Sequence, residues 1–210
     1  MKSIIESFSD MVRSYPKKVA VKDKHGAFSY QELDEISNEI ANFIIKECNN
    51  QGFNIEANIN AGKSGERIGI LLPRKKIFLA VFLGIIKSGC CIVNIDPDFP
   101  TERKNYIIND SNCRCIISSM DMDKTDVDGK VFNVEDIIKH DENFIKPINL
   151  SKNENEGIIL YTSGSTGVSK GVVHRSQSML TMVLNYWQDY YKFTNAVNLI
   201  FSNLSYFSYY

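Results

Sequence analysis

Two short stretches of the chain, residues 67–72 and 90–95, are apolar at almost every position. Such runs are typical of strands buried on both faces of a parallel sheet. Between them, Lys75 to Lys87 is apolar nearly all round, so we expect an interior helix there. Pro73 ends the first strand. These segments predict a strand–helix–strand unit, which is right-handed by default.

Apolar residues at helical spacing predict an opening helix and a second helix after a short strand pair. The strand pair, Val19–Val21 with Ala27–Phe28, flanks a turn at residues 24–26. Ser29 and Glu32 are three residues apart and form a capping box for the second helix. The apolar positions of the two helices are Ile4, Ile5, Phe8, Met11 and Val12, then Leu33, Ile36, Ile40, Phe43 and Ile44.

The remaining pattern completes an α/β fold with parallel-rich sheets and flanking helices. Two further strands are predicted at Cys115–Ser118 and Lys130–Val134, and Thr101 is expected to cap the helix before them. The other predicted segments are a polar surface loop at Asn49–Gly65, a solvated acidic turn at residues 121–128, a charged linker at 140–156, and a helix that begins at His174 and carries Leu180, Val183, Leu184 and Trp187 on one face.

Composition excludes several classes of function. The 210 residues are 43% hydrophobic and 23% charged, with a net charge of −1, which is ordinary for a globular protein with one sizeable core or two small ones. A net charge near zero gives no indication of the basic surface by which proteins bind nucleic acid. The N-terminus is not a signal peptide, and the longest apolar run, Ile77–Ile86, is too short to cross a bilayer. We therefore expect a cytoplasmic protein with no membrane partner.

Five cysteines make an odd count with no disulfide framework. Cys90 and Cys91 are adjacent in a predicted strand, so their side chains should point to opposite faces. Cys113 and Cys115 are two apart and could share a face. No histidine lies near them, and a zinc site needs four ligands, so we predict reduced, packed thiols and no metal site.

The segment Tyr161–Val173 carries the candidate chemistry. It follows a β-branched run at residues 157–161 that is long enough for a strand. Glycines permit turns that point successive backbone N–H groups into one anion-binding concavity. Hydroxyl groups add donors, and Lys170 adds a positive charge. The glycines are Gly164, Gly167 and Gly171, and the hydroxyl residues are Thr162, Ser163, Ser165 and Thr166.

This combination is suited to holding a polyphosphate, but it is not the ordinary P-loop. That motif needs a second glycine five positions after the first, and the residue five after Gly164 is Ser169. A flexible Ser/Gly linker is the alternative interpretation. A linker does not usually join a buried type of strand directly to Gly-Val-Val-His.

The segment closely resembles the phosphate loop of the adenylate-forming superfamily, which includes acyl-CoA synthetases, luciferases and nonribosomal peptide synthetase adenylation domains. That family's pattern is Tyr-Thr-Ser-Gly-(Ser/Thr)-Thr-Gly-x-Pro-Lys-Gly-Val, and the chain departs from it at Ser169, where the family has Pro. Ser does not fix φ, so this turn is expected to be looser. Two weaker signatures, Phe28–Leu33 and Gly84–Arg103, stand in the family's order.

The resemblance implies that ATP activates a carboxylic acid as an acyl-adenylate, which then passes to a thiol of coenzyme A or of carrier-protein phosphopantetheine. It assigns the β- and γ-phosphates, bridged by Mg²⁺, to the loop, and it names no catalytic residue in this chain. The loop residues it implies are Thr162, Ser163, Gly164, Ser165, Thr166, Gly167 and Lys170.

Residues 1–210 are expected to be an incomplete N-terminal part of an AMP-binding domain, inactive alone. The family's ribose-binding Asp, hinge and C-terminal catalytic Lys are not found here, and the chain stops in an aromatic run. Ser205–Ser208 lacks the Asp by which amino-acid-activating members hold the substrate ammonium group. The second signature favours a domain that loads a carrier protein. The alternative is a non-catalytic nucleotide-binding or interaction module.

Overall fold

The computed structural model describes residues 3–119, 127–139, 147–162 and 169–178, and helices and strands alternate along most of them. The helices are α1 (Ile4–Ser14), α2 (Tyr30–Asn50), α3 (Ile55–Asn60), α4 (Lys76–Lys87), α5 (Thr101–Ser111) and α6 (Val134–Ile137). The strands are β1 (Val19–Asp23), β2 (Gly26–Ser29), β3 (Arg67–Leu71), β4 (Cys91–Asn94), β5 (Cys115–Ser118), β6 (Val131–Asn133), β7 (Glu156–Thr162) and β8 (Lys170–Arg175).

A mostly parallel sheet organises the described part of the chain. Six of its strands lie in the order β6-β5-β3-β4-β7-β8. Every neighbouring pair is parallel except β7 and β8, which are antiparallel. The predicted unit of β3, α4 and β4 is confirmed, with Ile68 opposite Ile92. The predicted α/β class with a parallel-rich sheet is therefore correct.

The two faces of this sheet bury separate cores, which explains why its strands are apolar at successive positions. On one face, Ile68, Ile70 and Ile117 belong to a core shared with α1, α2 and α4. On the other face, Leu71 and Ile116 pack in a core that includes residues of α5. The helices thus flank the sheet on both sides.

The N-terminal elements match their predictions. β1 and β2 form an antiparallel pair in which Val21 lies opposite Phe28. The capping box at α2 is present, because Ser29 Oγ accepts a hydrogen bond from Glu32 N at 3.2 Å and Ser29 N donates to Glu32 Oε2 at 2.7 Å.

A buried ammonium group joins α4 to α2. Lys87 is only 1% exposed. Its Nζ donates to Asp34 Oδ1 at 2.7 Å, to Ser37 Oγ at 2.7 Å and to Asn38 Oδ1 at 2.9 Å. Burial lowers the pKa of Lys87, and the Asp34 carboxylate opposes that shift. The charge is tolerated in the core because these acceptors replace its water.

We expect Lys87→Met to lower the free energy of unfolding by about 1 to 3 kcal/mol, because it leaves buried polar groups of α2 without their donor. Lys46→Met is the matched control, since Lys46 is an exposed residue of α2. Urea unfolding followed by circular dichroism measures both variants. Equal stability of the two variants would contradict the role assigned to Lys87.

The polar segment 49–65 is not the loop that was predicted. Helix α2 continues to Asn50, and α3 occupies Ile55–Asn60. Asn54 caps α3 through a hydrogen bond from Ala57 N to its Oδ1 at 2.9 Å. Ile55 and Ile59 lie one helical turn apart and are both buried. Two apolar positions in a polar stretch are too few for periodicity to reveal a helix.

Two helix starts also differ from prediction. Thr101 does not cap α5: the N-cap position is Pro100, which makes no side-chain hydrogen bond, and Thr101 is the first helical residue. His174 and Arg175 belong to β8, and the next helix starts at Ser176. The predicted apolar face of that helix, the aromatic C-terminal run and most of the acidic turn lie outside the described residues.

Residues 147–155, which belong to the predicted linker, bond to the core at two points. Leu150 N donates to Lys87 O at 2.7 Å, and Lys152 Nζ donates to Ile59 O at 2.6 Å. This segment therefore reaches β7 along the core formed by α3 and α4.

The cysteines lie on both faces of the sheet. Cys90 and Cys91 belong to different cores, as predicted. Cys113 and Cys115 do not share a face: Cys115 lies in the core with α4, and Cys113 packs against the other one. Strand alternation fails there because Cys113 precedes β5, directly after Asn112, whose φ is 53°. All five thiols are free.

Folding stability should fall as pH rises from about 8 to about 9.5. Burial raises the pKa of Cys48 to about 11 and of Cys90 and Cys91 to about 12. Unfolded thiols ionise near pH 8.5, so above that pH the folded chain holds protons that the unfolded chain has lost. The stabilisation that the buried, protonated thiols provide is complete below about pH 8.5, and it is lost as the pH rises towards the pKa values of these thiols in the folded chain.

Urea midpoints measured across this pH range test this. Cys90→Ala should give a shallower pH dependence than the unmodified chain, because it removes one of the shifted groups. An identical slope for both would show that the buried thiols do not carry the effect.

Candidate functional site

The predicted phosphate loop connects β7 to β8. Thr162, the last residue of β7, pairs with Lys170, the first residue of β8. Because β7 runs parallel to β4, this connection lies at the carboxyl edge of the parallel strands. In open α/β sheets, ligands bind at that edge. The strand predicted before the loop is present as β7, and a second strand, β8, follows the loop.

The described site residues are the two ends of the loop. Thr162 is half-buried and Lys170 is exposed. Across the described ranges, no ion pair joins Lys170 to another side chain. The predicted residues Ser163, Gly164, Ser165, Thr166 and Gly167 lie outside the described part of the chain.

Gly171 has a different role from the one expected. It was predicted to contribute a turn of the anion-binding loop, but it lies in β8 opposite Tyr161. A Cβ atom at Gly171 would come within 3.0 Å of Tyr161 Cζ and 3.1 Å of Ile159 Cγ2. The glycine therefore makes room for the tyrosine ring that lies across the hairpin.

Helix α5 holds both ends of the loop. Tyr161, next to Thr162, donates from its hydroxyl to Asp110 Oδ2 at 2.6 Å. At the other end, the Tyr106 hydroxyl donates to the backbone carbonyl of Ser169 at 2.9 Å. The two tyrosine rings meet edge to face, with centroids 6.3 Å apart. One helix thus bonds to the entry and the exit of the loop.

The sequence places these two groups on one side of α5, because Tyr106 and Asp110 are four residues apart. The Asp-Pro-Asp-Phe-Pro segment leads into the helix. Within it, Asp98 N donates to Asp96 Oδ1 at 3.0 Å, and the Arg103 guanidinium stacks 3.9 Å from the Phe99 ring centroid. These contacts hold the segment and the first turn of α5 together.

Sequence reasoning missed Tyr106 and Asp110. The sequence identifies Gly84–Arg103 only as a family signature, and its local pattern assigns no role to the helix that follows. The available signal was their four-residue spacing on a helix that follows a strand of the same sheet. Their partners are 63 and 51 residues away along the chain, so no local pattern identifies the contacts.

Tyr161 stays protonated and can only serve as a donor to Asp110. Burial, followed by the hydrogen bond to the Asp110 carboxylate, raises the pKa of Tyr161 well above its usual value.

Ser169 contributes its backbone carbonyl to the hydrogen bond with Tyr106, and a proline at that position would also present a carbonyl. The departure from the family pattern at Ser169 therefore leaves this contact in place.

The described residues contain no group of three or more His, Cys, Asp and Glu side chains placed to hold a metal ion. In the same ranges, no helix combines the length and apolarity that crossing a bilayer requires.

A mostly parallel sheet with helices on both faces and a hairpin at its carboxyl edge defines an α/β protein whose candidate ligand site lies at that edge. The chain belongs to the AMP-binding enzyme family, whose model matches residues 8–208. The expected membership of the adenylate-forming superfamily is thereby confirmed.

Curated relatives are large synthases. The chain is 33% identical to bacitracin synthase 1 of Bacillus licheniformis over 173 residues, which is 81% of this chain and 3% of that protein. It is 28% identical to gramicidin S synthase 2 of Brevibacillus brevis over 188 residues, covering 88% of this chain and 4% of the synthase. The chain thus spans a small part of the relatives that it matches.

Solved structures share the fold. The N-terminal subdomain of Klebsiella oxytoca NpsA superposes with a TM-score of 0.65 at 21% identity, covering 84% of this chain and 43% of that one. The nonribosomal peptide synthetase FmoA3, in a form bound to alpha-methyl-L-serine-AMP, gives a TM-score of 0.72 at 16% identity. The match covers 90% of this chain and 19% of the FmoA3 chain.

Proposed function

We propose that this chain forms the ATP-holding part of an enzyme that activates a carboxylic acid as an acyl-adenylate. The observation that carries the proposal is the hairpin between Thr162 and Lys170, held at both ends by α5, with an exposed lysine at its exit. The residues between those ends, 163–168, supply glycines and hydroxyls suited to phosphate oxygens.

The proposed reaction needs little acid–base catalysis. A carboxylate is already ionised at neutral pH, so it can attack the α-phosphate of ATP directly, with pyrophosphate leaving. The protein must position the reactants and stabilise negative charge on the phosphates. Lys170 and Thr162, with Ser163, Gly164, Ser165, Thr166 and Gly167, would bind the β- and γ-phosphates. Each well-aimed donor contributes roughly 3 kcal/mol to such a transition state.

A magnesium ion would enter with the nucleotide. Mg²⁺ keeps several waters and binds through substrate phosphates with only one or two protein ligands. Its chemistry is to neutralise phosphate charge, and the role of the chain is to hold the phosphates that carry it.

The acyl acceptor is proposed to be a carrier-protein phosphopantetheine, with coenzyme A as the alternative thiol. The support is the likeness to bacitracin and gramicidin S synthases and to a nonribosomal peptide synthetase structure. The absence of an acidic residue in Ser205–Ser208 favours a carboxylic acid without an α-amino group.

Lys170→Ala should weaken binding of Mg·ATP to the 210-residue chain by about ten- to a hundredfold, because it removes a charged donor to phosphate. Isothermal titration calorimetry measures this directly. Lys63→Ala is the matched control, since Lys63 is an exposed lysine outside the hairpin. Unchanged affinity for Lys170→Ala, or no binding by the unmodified chain, would refute the proposed nucleotide site.

The chain alone should bind ATP without catalysing acid-dependent exchange of pyrophosphate into ATP. The reason is that its 210 residues lack the family's ribose-binding Asp and C-terminal Lys motifs. Radiolabelled pyrophosphate exchange, with a panel of carboxylic acids, tests this. Exchange above the no-acid background would show that this chain is sufficient for adenylation.

A further inference from the structure

The carbonyl that Tyr106 holds belongs to the peptide unit leading into Lys170. Ser169 O and Lys170 N lie in one planar peptide group, so fixing that oxygen restricts the direction in which the backbone enters Lys170. The hydrogen bond from the Tyr106 hydroxyl to Ser169 O is 2.9 Å long. The position of the lysine backbone therefore depends on a side chain from another element.

A second bond acts at the entry of the loop. Tyr161 immediately precedes Thr162 and is buried. Its hydroxyl donates to Asp110 Oδ2 at 2.6 Å. Tyr106 and Asp110 lie on the same side of α5, so both loop ends are fixed relative to one rigid helix. A loop whose ends are held needs less reorganisation to direct its donors at an anion.

We propose that Tyr106 is a positioning residue for the triphosphate end of ATP, acting through the Ser169 carbonyl on Lys170. Tyr161 and Asp110 hold the opposite end of the same loop. This inference rests on the proposed function, since it requires the loop to bind phosphate.

If the hydrogen bond from Tyr106 to Ser169 only stabilised the fold, its loss would affect nucleotide binding differently. If the bond only attached β8 to the sheet, its loss would loosen the hairpin and affect every nucleotide alike. A positioning role acts on the β- and γ-phosphates, so it should change the affinity for ATP and leave that for AMP unchanged. The ratio of the two affinities separates the roles.

The test uses Tyr106→Phe in the full 210-residue chain. This change removes the hydroxyl and keeps the ring that meets Tyr161 edge to face. The matched control is Asn109→Ala on the same helix. Asn109 Nδ2 also donates an exposed hydrogen bond to another segment, at Asp128 Oδ2 at 3.0 Å, away from the hairpin.

Affinities for Mg·ATP and for AMP are measured by calorimetry for the unmodified chain and both variants. Tyr106→Phe should weaken ATP binding about three- to tenfold, the scale of one partly exposed hydrogen bond, with AMP affinity unchanged. Asn109→Ala should leave both affinities unchanged.

Each of the following results would overturn the inference. ATP affinity that is unchanged in Tyr106→Phe rejects the positioning role and leaves the proposed function standing. An equal loss for ATP and AMP, or an equal loss in Asn109→Ala, shows general loosening of the fold. If the unmodified chain binds no ATP, or Lys170→Ala binds it equally well, the proposed function itself fails.

Discussion

The side chain of Tyr161 connects the core of the protein to the hairpin at the carboxyl edge of its sheet. Its ring is buried among residues of the core that includes α5, and its hydroxyl bonds to Asp110. Because β7 must place this ring inside, the position of Thr162 at the end of the strand is defined. The location of the candidate site is therefore a consequence of how one aromatic residue packs.

On the opposite face of the sheet, a different interaction joins helices α4 and α2 to each other. There the ammonium group of Lys87 satisfies acceptors on α2 from a position of almost complete burial. A shift of α4 along α2 would separate the ammonium group from its acceptors and leave the buried Ser37 and Asn38 without their partner. The family-like segment at Gly84–Gly89 thus includes a residue whose role here is to fix helix packing.

Much of the fold follows from local pattern. The buried strands, the apolar helix α4 and the capping box at Ser29 were predictable, because each is encoded within a few neighbouring residues. Helix α3 was not, because its burial rests on Ile55 and Ile59 alone. Tyr106 and Asp110 could not be assigned either, since their partners are distant in sequence. The strand before the loop was predicted correctly, but the helix that bonds to both ends of the loop requires the structure.

The pairing of Tyr161 with Gly171 also determines which way Lys170 faces. Moving β8 by a single residue along β7 would exchange the sides of the sheet on which its side chains stand. It would also place the side chain of Lys170 or Val172 opposite Tyr161, where a Cβ atom on the present backbone would come within 3.0 Å of the ring. The glycine at position 171 therefore favours the observed register of β8 on β7. This register sets the face of the hairpin on which the charged side chain of Lys170 lies.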